Sequence, residues 1–332
     1  MKVGFFLNTQ YKEGESLHAR LPEMVDQVRA ARDSGFASVW FPDHYIIGPI
    51  RMPQPVPLMA YLLRETGDMV VGPNIRILAL LNPVQAAEEA ATMDILSGGK
   101  YVFGVGLGYR EPEFSAFNVP IAERAGRFTE CIGVMRRLFT EDKVDHHGKY
   151  YTVDNSGLSA MPHTPGGPPI YIAGLAEAAI KRAARIGDAW LAVNTTDLKT
   201  TVRHMNTYRA ALAEYGRTPR EFPLTRECYI GTSHKTAFEE CRAALHYKYS
   251  AYAAWGASRP VTDQDAFGMA LEDFCKDRFI IGDKVSVKED IARYQEALGA
   301  DHFIMRCQWP GLPVERVLHT IRSLGEIFSE GG

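Results

Sequence analysis

Short apolar runs alternate with longer amphipathic segments along most of this chain. Apolar runs of about four to eight residues bounded by turn residues are typical of buried strands, whereas apolar residues at helical spacing are typical of helices. In the first 110 residues the pattern predicts helices near 22–35, 58–66 and 84–96, and strands at 2–7, 36–41, 74–81 and from 101 onwards. Strands that alternate with helices in this way predict a parallel sheet.

The alternation continues to the C-terminus. Further strands are predicted at 169–173, 188–192, 224–232 and 302–307, and further helices at 124–139, 177–185, 198–215, 237–248, 287–298 and 314–328. Eight main strand candidates in a chain of this length predict one α/β domain over residues 1–332. Its predicted fold is a single (β/α)8 TIM barrel with insertions around 110–168 and 233–278. A doubly wound parallel sheet is the alternative fold.

Three glycines occupy alternate positions where the fourth strand ends, at Gly104, Gly106 and Gly108. Alternate residues of a strand share a face, so the glycines predict a face without side chains that a cofactor could approach closely. The spacing is G-x-G-x-G, whereas dinucleotide-binding proteins carry G-x-G-x-x-G at the start of a helix. The stretch is therefore interpreted as a barrel strand that presents its backbone.

Composition and charge exclude several classes of function. The 332 residues are 46% hydrophobic and carry a formal net charge of −3, with no basic cluster of the kind that binds nucleic acid or a membrane surface. No apolar stretch is long enough for a membrane span, and the N-terminal apolar run is too short for a signal peptide. The five cysteines form no C-x-x-C pair. These features predict a soluble cytoplasmic protein with reduced thiols.

In a TIM barrel the active site lies at the C-terminal ends of the strands. Among the residues that this rule selects, only His44 is an acid–base group near neutral pH, although a structural role is open. Other residues at strand ends are candidates for a substrate and cofactor pocket: Asn8, Asp43, Arg226, Arg306, Gln308 and Trp309. Alternatively, Arg226 and its neighbour Glu227 form an internal ion pair that braces the barrel.

Residues 174–176 (Gly-Leu-Ala) join a predicted strand to a predicted helix. Helix N-termini present free N–H groups and the positive end of the helix dipole, so this loop is either a phosphate site built from backbone or an ordinary connection. Asn82, before Pro83, is expected to cap a helix. No metal site is predicted: the histidines at 146 and 147 are interpreted as a solvent-facing hairpin tip, and zinc-ligand spacing, G-x-S-x-G and Walker A sequences are absent.

Six stretches carry a resemblance to a known family. In chain order they are VWFPDHY (39–45), NPVQAAEEAATMDILSGGKYVFGVGLGY (82–109), GRFTECIGVMRRLF (126–139), HGKYYTV (147–153), PPIYIAGLAEAAIKRAARIGDAWL (168–191) and RFIIGDKVSVKEDIARYQEALGADHFIMRCQWPGLP (278–313). Together they resemble the luciferase-like monooxygenases, the flavin-dependent TIM-barrel family that includes bacterial luciferase and alkanesulfonate monooxygenases. The region 193–277 is less distinctive, so the substrate stays open.

The resemblance implies roles for individual residues. His44 corresponds to the histidine that acts near the flavin. The cofactor-binding residues implied are Asn82, Gly106, Leu107, Gly108, Tyr109, Tyr151, Gly174, Leu175 and Ala176. The chain departs from the family at Asn82, where many members carry histidine. It departs again at Leu175 and Ala176, where many members carry hydroxyl residues, so backbone N–H groups must supply more of the phosphate binding.

The resemblance also implies an activity. A separate NAD(P)H:flavin reductase would supply reduced FMN (FMNH2), which reacts with O2 to a flavin C4a-peroxide that oxidises a small organic substrate. Hydride transfer with the deazaflavin F420, without oxygen, is one alternative, and a non-catalytic flavin-binding protein is another. The Pro-rich loop 48–57 and the aromatic segment 249–255 are candidate covers of the site. A homodimer is expected to bury helix 84–96, because its alanines would allow close helix approach.

Overall fold

The computed structural model describes residues 1–255 and 270–330. Residues 256–269, within the predicted insertion 233–278, lie outside the described residues. The strands are β1 (Lys2–Phe6), β2 (Ser38–Phe41), β3 (Val70–Pro73), β4 (Arg76–Ile77), β5 (Phe103–Gly106), β6 (Val144–His147), β7 (Thr152–Ser156), β8 (Ile170–Ala173), β9 (Ala189–Leu191), β10 (Pro223–Ile230), β11 (Ile280–Gly282) and β12 (His302–Arg306). The helices are α1 (Leu17–Asp33), α2 (Pro55–Leu62), α3 (Pro83–Ser97), α4 (Glu111–Ala116), α5 (Arg124–Leu138), α6 (Glu177–Ile186), α7 (Leu198–Glu214), α8 (His234–Ala254), α9 (Leu271–Cys275), α10 (Lys284–Leu298) and α11 (Val314–Ser329).

Within the described residues, eight parallel strands close into a ring. One sheet has the order β10-β12-β1-β2-β3 with β11 at its edge, and a second contains β5-β8-β9 with β4 at its edge. Two parallel bridges join the sheets, Val71 to Tyr101 between β3 and β5, and Ala192 to Leu224 between β9 and β10. This closure confirms the predicted (β/α)8 TIM barrel and places the C-terminal ends of all eight strands around one mouth.

The third barrel strand differs from its prediction. Residues Val70–Pro73 pair with β2, whereas the predicted strand 74–81 contains only the short strand β4 and a 3-10 turn at Leu78–Leu80. The prediction for 74–81 was wrong because this segment is apolar for another reason: its residues are buried beside β5 and beneath α5. A buried apolar run does not by itself distinguish a strand from a packed turn.

The alternate glycines of β5 and the loop after it accommodate the segment that follows β3. A Cβ atom on Gly104 would meet the carbonyl oxygen of Pro73, and one on Gly106 would lie 2.7 Å from Cδ1 of Ile75. Gly108 has a φ of +76°, and a Cβ there would lie 2.6 Å from Ile77. The side-chain-free face is therefore filled by the protein's own chain, which corrects the expectation that it is cleared for a cofactor.

The barrel has an inner and an outer apolar layer. Large side chains fill the interior, including Phe6, Trp40, Tyr171, Leu191 and Ile304, while the outer layer packs the strands against the helices. Interior and exterior side chains alternate along each strand. The described helices include none that is long and apolar enough to cross a membrane.

The alanines of α3 belong to the outer apolar layer. Ala86, Ala87, Ala90 and Ala91 are all buried within this single chain. Their small size lets α3 approach its own barrel and α5, so it gives no reason for contact with a second subunit. The expected homodimer therefore stays a prediction, without the support that was drawn from these alanines.

Candidate active site

His44 follows β2 at the barrel mouth and pairs with a carboxylate. Its Nδ1 lies 2.9 Å from Oε1 of Glu113, a fully buried residue on α4 that also accepts the Tyr45 backbone N–H at 2.8 Å. An ionised carboxylate can only accept, so the pairing places a proton on Nδ1 and leaves Nε2 as the basic nitrogen of neutral His44. No partner of Nε2 occurs among residues 1–255 and 270–330. The arrangement supports proton transfer at Nε2.

Glu113 is the principal site residue that the sequence did not predict. It lies 69 positions after His44, in a short helix that begins after the third of the alternate glycines. The only local signal is the acidic pair of Glu111 and Glu113 beside Arg110, which is equally typical of the first turn of a solvent-exposed helix. Burial of the Glu113 side chain distinguishes the two cases, and burial here is decided by tertiary packing.

Aromatic rings surround the His44 imidazole. The ring of Tyr109 lies 5.8 Å from it, nearly perpendicular, and the ring of Trp255 lies 5.9 Å away. Burial raises the pKa of the Tyr109 phenol above its ordinary range, so this hydroxyl stays protonated. Trp255 stacks on Tyr252 with ring centroids 5.1 Å apart. These contacts create an apolar, partly enclosed environment around His44.

The two predicted covers contact each other beside His44. Trp255, which directly follows α8, donates from Nε1 to the carbonyl oxygen of Gly48 at 2.9 Å, and the Tyr247 hydroxyl donates to that of Pro49 at 3.4 Å. Ile47 and Ile50 pack with Ala251 of α8 in a small apolar cluster. The Pro-rich loop and the end of α8 therefore form one continuous cover on the β2 side of the mouth.

A buried charge cluster lies at β10 and β12, two to three strands from β2 in the barrel. Glu227 of β10 accepts hydrogen bonds from Lys248, Tyr249, Asn194 and Trp309. Arg306 of β12 lies 3.5 Å from the same carboxylate, so two cations share one anion. Burial and the charge of Arg306 outweigh the attraction of Glu227 and lower the pKa of Lys248 to about 7.

Polar side chains link β1 to β12 next to this cluster. Asn8 accepts from Arg306 at 3.1 Å and donates to the carbonyl oxygen of Gln308 at 2.7 Å. Gln308 donates from Nε2 to the carbonyl oxygens of Gln10 and Trp309, which fixes its amide orientation. Its Oε1 is buried and has no partner among the described residues. A ligand with a hydrogen-bond donor would satisfy this acceptor.

One predicted pocket residue, Arg226, does not face the mouth. Arg226 lies on the outer face of β10, where it donates to Val193 and Thr201 and lies 4.9 Å from the Tyr294 ring. Successive strand residues point to opposite faces, so Glu227 faces inwards instead. Arg226 and Glu227 therefore form no internal ion pair, and the prediction of Arg226 as a pocket residue is corrected.

Asp43 lies behind His44. Its Oδ2 accepts from Arg76 at 3.1 Å and from the Ile77 backbone at 3.2 Å, so it braces β4. Asn82 is exposed and caps α3 by accepting from the N–H of Val84 at 2.9 Å, as the alternative interpretation expected. Both residues support the segment between β3 and α3, and neither side chain is directed at His44 in these contacts.

The loop 174–176 leads into α6. Ala176 is the N-cap residue and offers no side-chain acceptor. Among the hydrogen bonds of the described residues, none uses the backbone N–H of Glu177 or Ala178. The loop thus presents unsatisfied donors at the positive end of a helix, which suits a phosphate. The Glu177 carboxylate opposes an anion there, although Lys181 pairs with it at 2.6 Å.

The remaining predicted cofactor residues lie around the same mouth. Gly106, Leu107, Gly108 and Tyr109 form the end of β5 and its following loop, and the Tyr151 hydroxyl donates to the carbonyl oxygen of Leu81 at 3.2 Å. The free backbone N–H groups at the start of α6 suit the phosphate of a flavin-type cofactor, and the unpartnered Oε1 of Gln308 suits a hydrogen-bond donor on such a cofactor. On these observations the residues present fit such a group.

Comparisons with known proteins are consistent with this geometry. A family profile described as luciferase-like monooxygenase matches residues 1–302. The alkanal monooxygenase alpha chain of Photorhabdus laumondii is 24% identical over 76% of this chain and 71% of its own length. The F420-dependent glucose-6-phosphate dehydrogenase of Amycolatopsis mediterranei is 26% identical over 91% of this chain and 95% of its own length.

Coverage varies among the relatives. The match to uncharacterized protein y4vJ of Sinorhizobium fredii spans 68% of this chain and 65% of that protein at 25% identity. Among solved structures, the oxygenating constituent of 3,6-diketocamphane monooxygenase from Pseudomonas putida, in complex with FMN, superposes with a TM-score of 0.84. That match covers 98% of this chain and 97% of the other at 17% identity, so it shows a shared fold.

Proposed function

Because the chain belongs to the luciferase-like monooxygenase family, we propose that it oxidises a small organic substrate with O2 and reduced FMN. The observation that carries the proposal is His44, whose basic Nε2 lies at the barrel mouth under an aromatic cover. A separate NAD(P)H:flavin reductase would supply the reduced FMN. The oxygenating constituent of 3,6-diketocamphane monooxygenase, whose structure is in complex with FMN, supports FMN as the cofactor.

The chain's own residues have distinct tasks in this reaction. FMN supplies the redox chemistry when it is bound, and the protein supplies orientation, proton transfer and exclusion of water. The free N–H groups at the start of α6 would hold the phosphate, and Nε2 of His44 would accept or donate a proton at the reaction centre. Glu113 fixes the imidazole orientation from Nδ1. The cover formed by loop 48–57 and Trp255 keeps bulk water away.

Hydride transfer with F420 is the second candidate function. The His44–Glu113 pair favours it specifically, because an imidazole backed by a carboxylate is suited to remove the proton of an alcohol as its hydride leaves. The F420-dependent relative also aligns over nearly the whole chain. In this reaction the cover would protect the reduced cofactor from oxygen and water.

One experiment distinguishes these functions. Purified protein is mixed in air with reduced FMN and either a straight-chain aldehyde or a cyclic ketone, and substrate loss, product and hydrogen peroxide are quantified. In parallel, oxidised F420 is mixed anaerobically with a panel of alcohols. The proposal expects O2-dependent product in the first reaction, with His44→Ala as the inactive control. F420 reduction alone would establish the second candidate, and flavin binding without turnover would establish the non-catalytic alternative.

A homodimer remains part of the proposal on the strength of the family resemblance. The exposed side chains of Ile95 and Leu96, at the end of α3, provide apolar surface near the predicted contact. Light scattering at micromolar concentration tests this assembly, and a monomeric mass would contradict it.

A further inference from the structure

We propose that Arg110 is a positioning residue that keeps the buried Glu113 carboxylate ionised, so that His44 can exchange its proton, and that also holds the cover closed through Trp255. This inference rests on the proposed role of His44 in catalysis. It assigns two linked tasks to a side chain that the sequence pattern did not single out. The contacts of its guanidinium group carry the argument.

Arg110 lies beneath the cover and connects three segments. Its Nη1 donates to the carbonyl oxygen of Tyr45 at 2.8 Å, and the same nitrogen lies 3.4 Å from Oε1 of Glu113. The guanidinium carbon lies 4.9 Å from the centre of the Trp255 ring, within the range of a cation–π interaction. One side chain therefore contacts the loop after β2, the acid of α4 and the end of α8.

The charge balance around Glu113 explains the first task. The Glu113 side chain is 0% exposed, and a buried carboxylate without a countercharge binds a proton readily. His44 supplies a countercharge only while it is protonated. Arg110 is charged at every relevant pH, so Glu113 can stay ionised after His44 has given its proton away. Without Arg110, the pair of His44 and Glu113 would bind a proton more tightly.

Other groups around His44 do not replace Arg110. Tyr109 and Trp255 face the imidazole with neutral rings, and Gln54 donates to the His44 carbonyl oxygen. Asp43 is a second acidic group whose charge interacts with His44 and Glu113, but Arg76 lies 3.1 Å from its carboxylate and offsets that charge. Apart from His44 itself, Arg110 is therefore the cation nearest to Glu113 among the ion pairs of the described residues.

The second task follows from the planar shape of the guanidinium group. Its edge donates to the backbone of Tyr45, and Nη2 lies 3.4 Å from the Ile46 carbonyl oxygen. The Trp255 ring lies against the Arg110 guanidinium group, and its Nε1 donates a hydrogen bond to the Gly48 carbonyl oxygen. Arginine can stack and donate at once, whereas lysine, a compact charge, cannot reproduce both contacts. Arg110 thus couples closure of the cover to the charge state of the proton-transfer pair.

The test uses the imidazole resonances of the protein without added cofactor, so its result does not depend on which reaction the protein catalyses. The His44 signal is assigned by its loss in His44→Gln and followed by NMR from pH 5 to 9. For Arg110→Met we expect the pair to take up its first proton about one pH unit higher than in the parent. For Trp255→Leu, which removes the cover contact but no charge, we expect a clearly smaller shift than for Arg110→Met.

Two further variants keep the result interpretable. In Glu113→Gln the additional change Arg110→Met measures the direct repulsion between Arg110 and His44, and a smaller shift than in the Glu113 background isolates the part that acts through the carboxylate. If Arg110→Met does not fold, Arg110→Gln tests the same loss of charge with a polar side chain. An unshifted midpoint in the folded Arg110 variant overturns the proposal, as does an equal shift in Trp255→Leu. Failure of reduced-flavin turnover in the parent would instead contradict the proposed function alone.

Discussion

Lys248 of α8 and Glu227 of β10 form an ion pair in which neither side chain is exposed to solvent. The Glu227 carboxylate also lies 3.5 Å from Arg306. Removing Lys248 therefore has a different consequence from removing Glu227. Without Lys248, Glu227 keeps Arg306 as a countercharge. Without the carboxylate, Arg306 loses its buried counterion, and Lys248 must either give up its proton or stay charged without an anion.

We therefore expect unequal effects on stability. Glu227→Gln should lower the free energy of unfolding by about 3 kcal/mol or more, in the range for breaking a buried ion pair. Lys248→Met, which keeps most of the side-chain volume, should lower it by less than about 1 kcal/mol. Urea unfolding followed by tryptophan fluorescence measures both. Equal losses would show that Arg306 does not balance Glu227, and adding Lys248→Met to Glu227→Gln should recover stability.

Loss of His44 should affect chemistry much more than folding. General acid–base assistance contributes roughly 10²–10⁴-fold to a rate, so His44→Ala should reduce substrate oxidation at least about a hundredfold. Reduced FMN should then be consumed with release of hydrogen peroxide, while FMN affinity and melting temperature stay close to the parental values. His18→Ala, at an exposed histidine, is the matched control. Parental turnover and coupling in His44→Ala would assign His44 a structural role.

The phosphate site can be tested at the first residue of α6. Ala176 already has the extended conformation (φ −69°, ψ 147°) that a following proline requires. Glu177→Pro should thus preserve the helix while removing one free N–H group. Relative to Glu177→Gln, which likewise lacks the carboxylate, we expect about tenfold weaker FMN binding and unchanged riboflavin binding in a fluorescence titration. Glu177→Gln, which removes only the opposing charge, should bind FMN more tightly. Equal losses for FMN and riboflavin would place the phosphate elsewhere.

Acid should destabilise the end of the barrel opposite the mouth. Here His302 contacts Glu221 at 2.9 Å and the Ser38 hydroxyl at 2.8 Å. Burial opposes ionisation of Glu221, but the hydrogen bond and charge of His302, together with Lys2, lower its pKa to about 2. A carboxyl group whose pKa is lowered on folding stabilises the folded state above its ordinary pKa. That contribution is lost as the pH falls from about 4.5 to about 2.

This relationship predicts the effect of Glu221→Gln. The difference in pKa corresponds to about 3 kcal/mol, so the parent should lose that much more stability than the variant across this pH range. Chemical denaturation at several pH values between 3 and 6 measures the portion of the loss within that window. Glu289→Gln, at an exposed acid, should follow the parent. Parallel curves for the parent and Glu221→Gln would contradict the lowered pKa.

The sequence by itself determined the barrel. Burial and turn residues are local properties, and their alternation recurs from β1 to α11, so the fold class followed even though the third strand was assigned to 74–81 instead of Val70–Pro73. The position of His44 directly after a buried strand likewise followed from a local pattern and the rule for barrel strand ends. The start of α6 after Ala176, which no side chain caps, could be predicted from the sequence for the same reason.

The tertiary structure decided which side chains meet. The partner of His44 is 69 residues away, and Glu227 rather than Arg226 faces the barrel interior because the register of β10 with β12 sets which face is inward. The glycines of β5 were visible in sequence, but the occupant of the space beside them, Ile75 and Ile77, was not. A sequence pattern records how buried a residue is. The direction of its side chain and the identity of its neighbours depend on contacts between segments far apart in the chain.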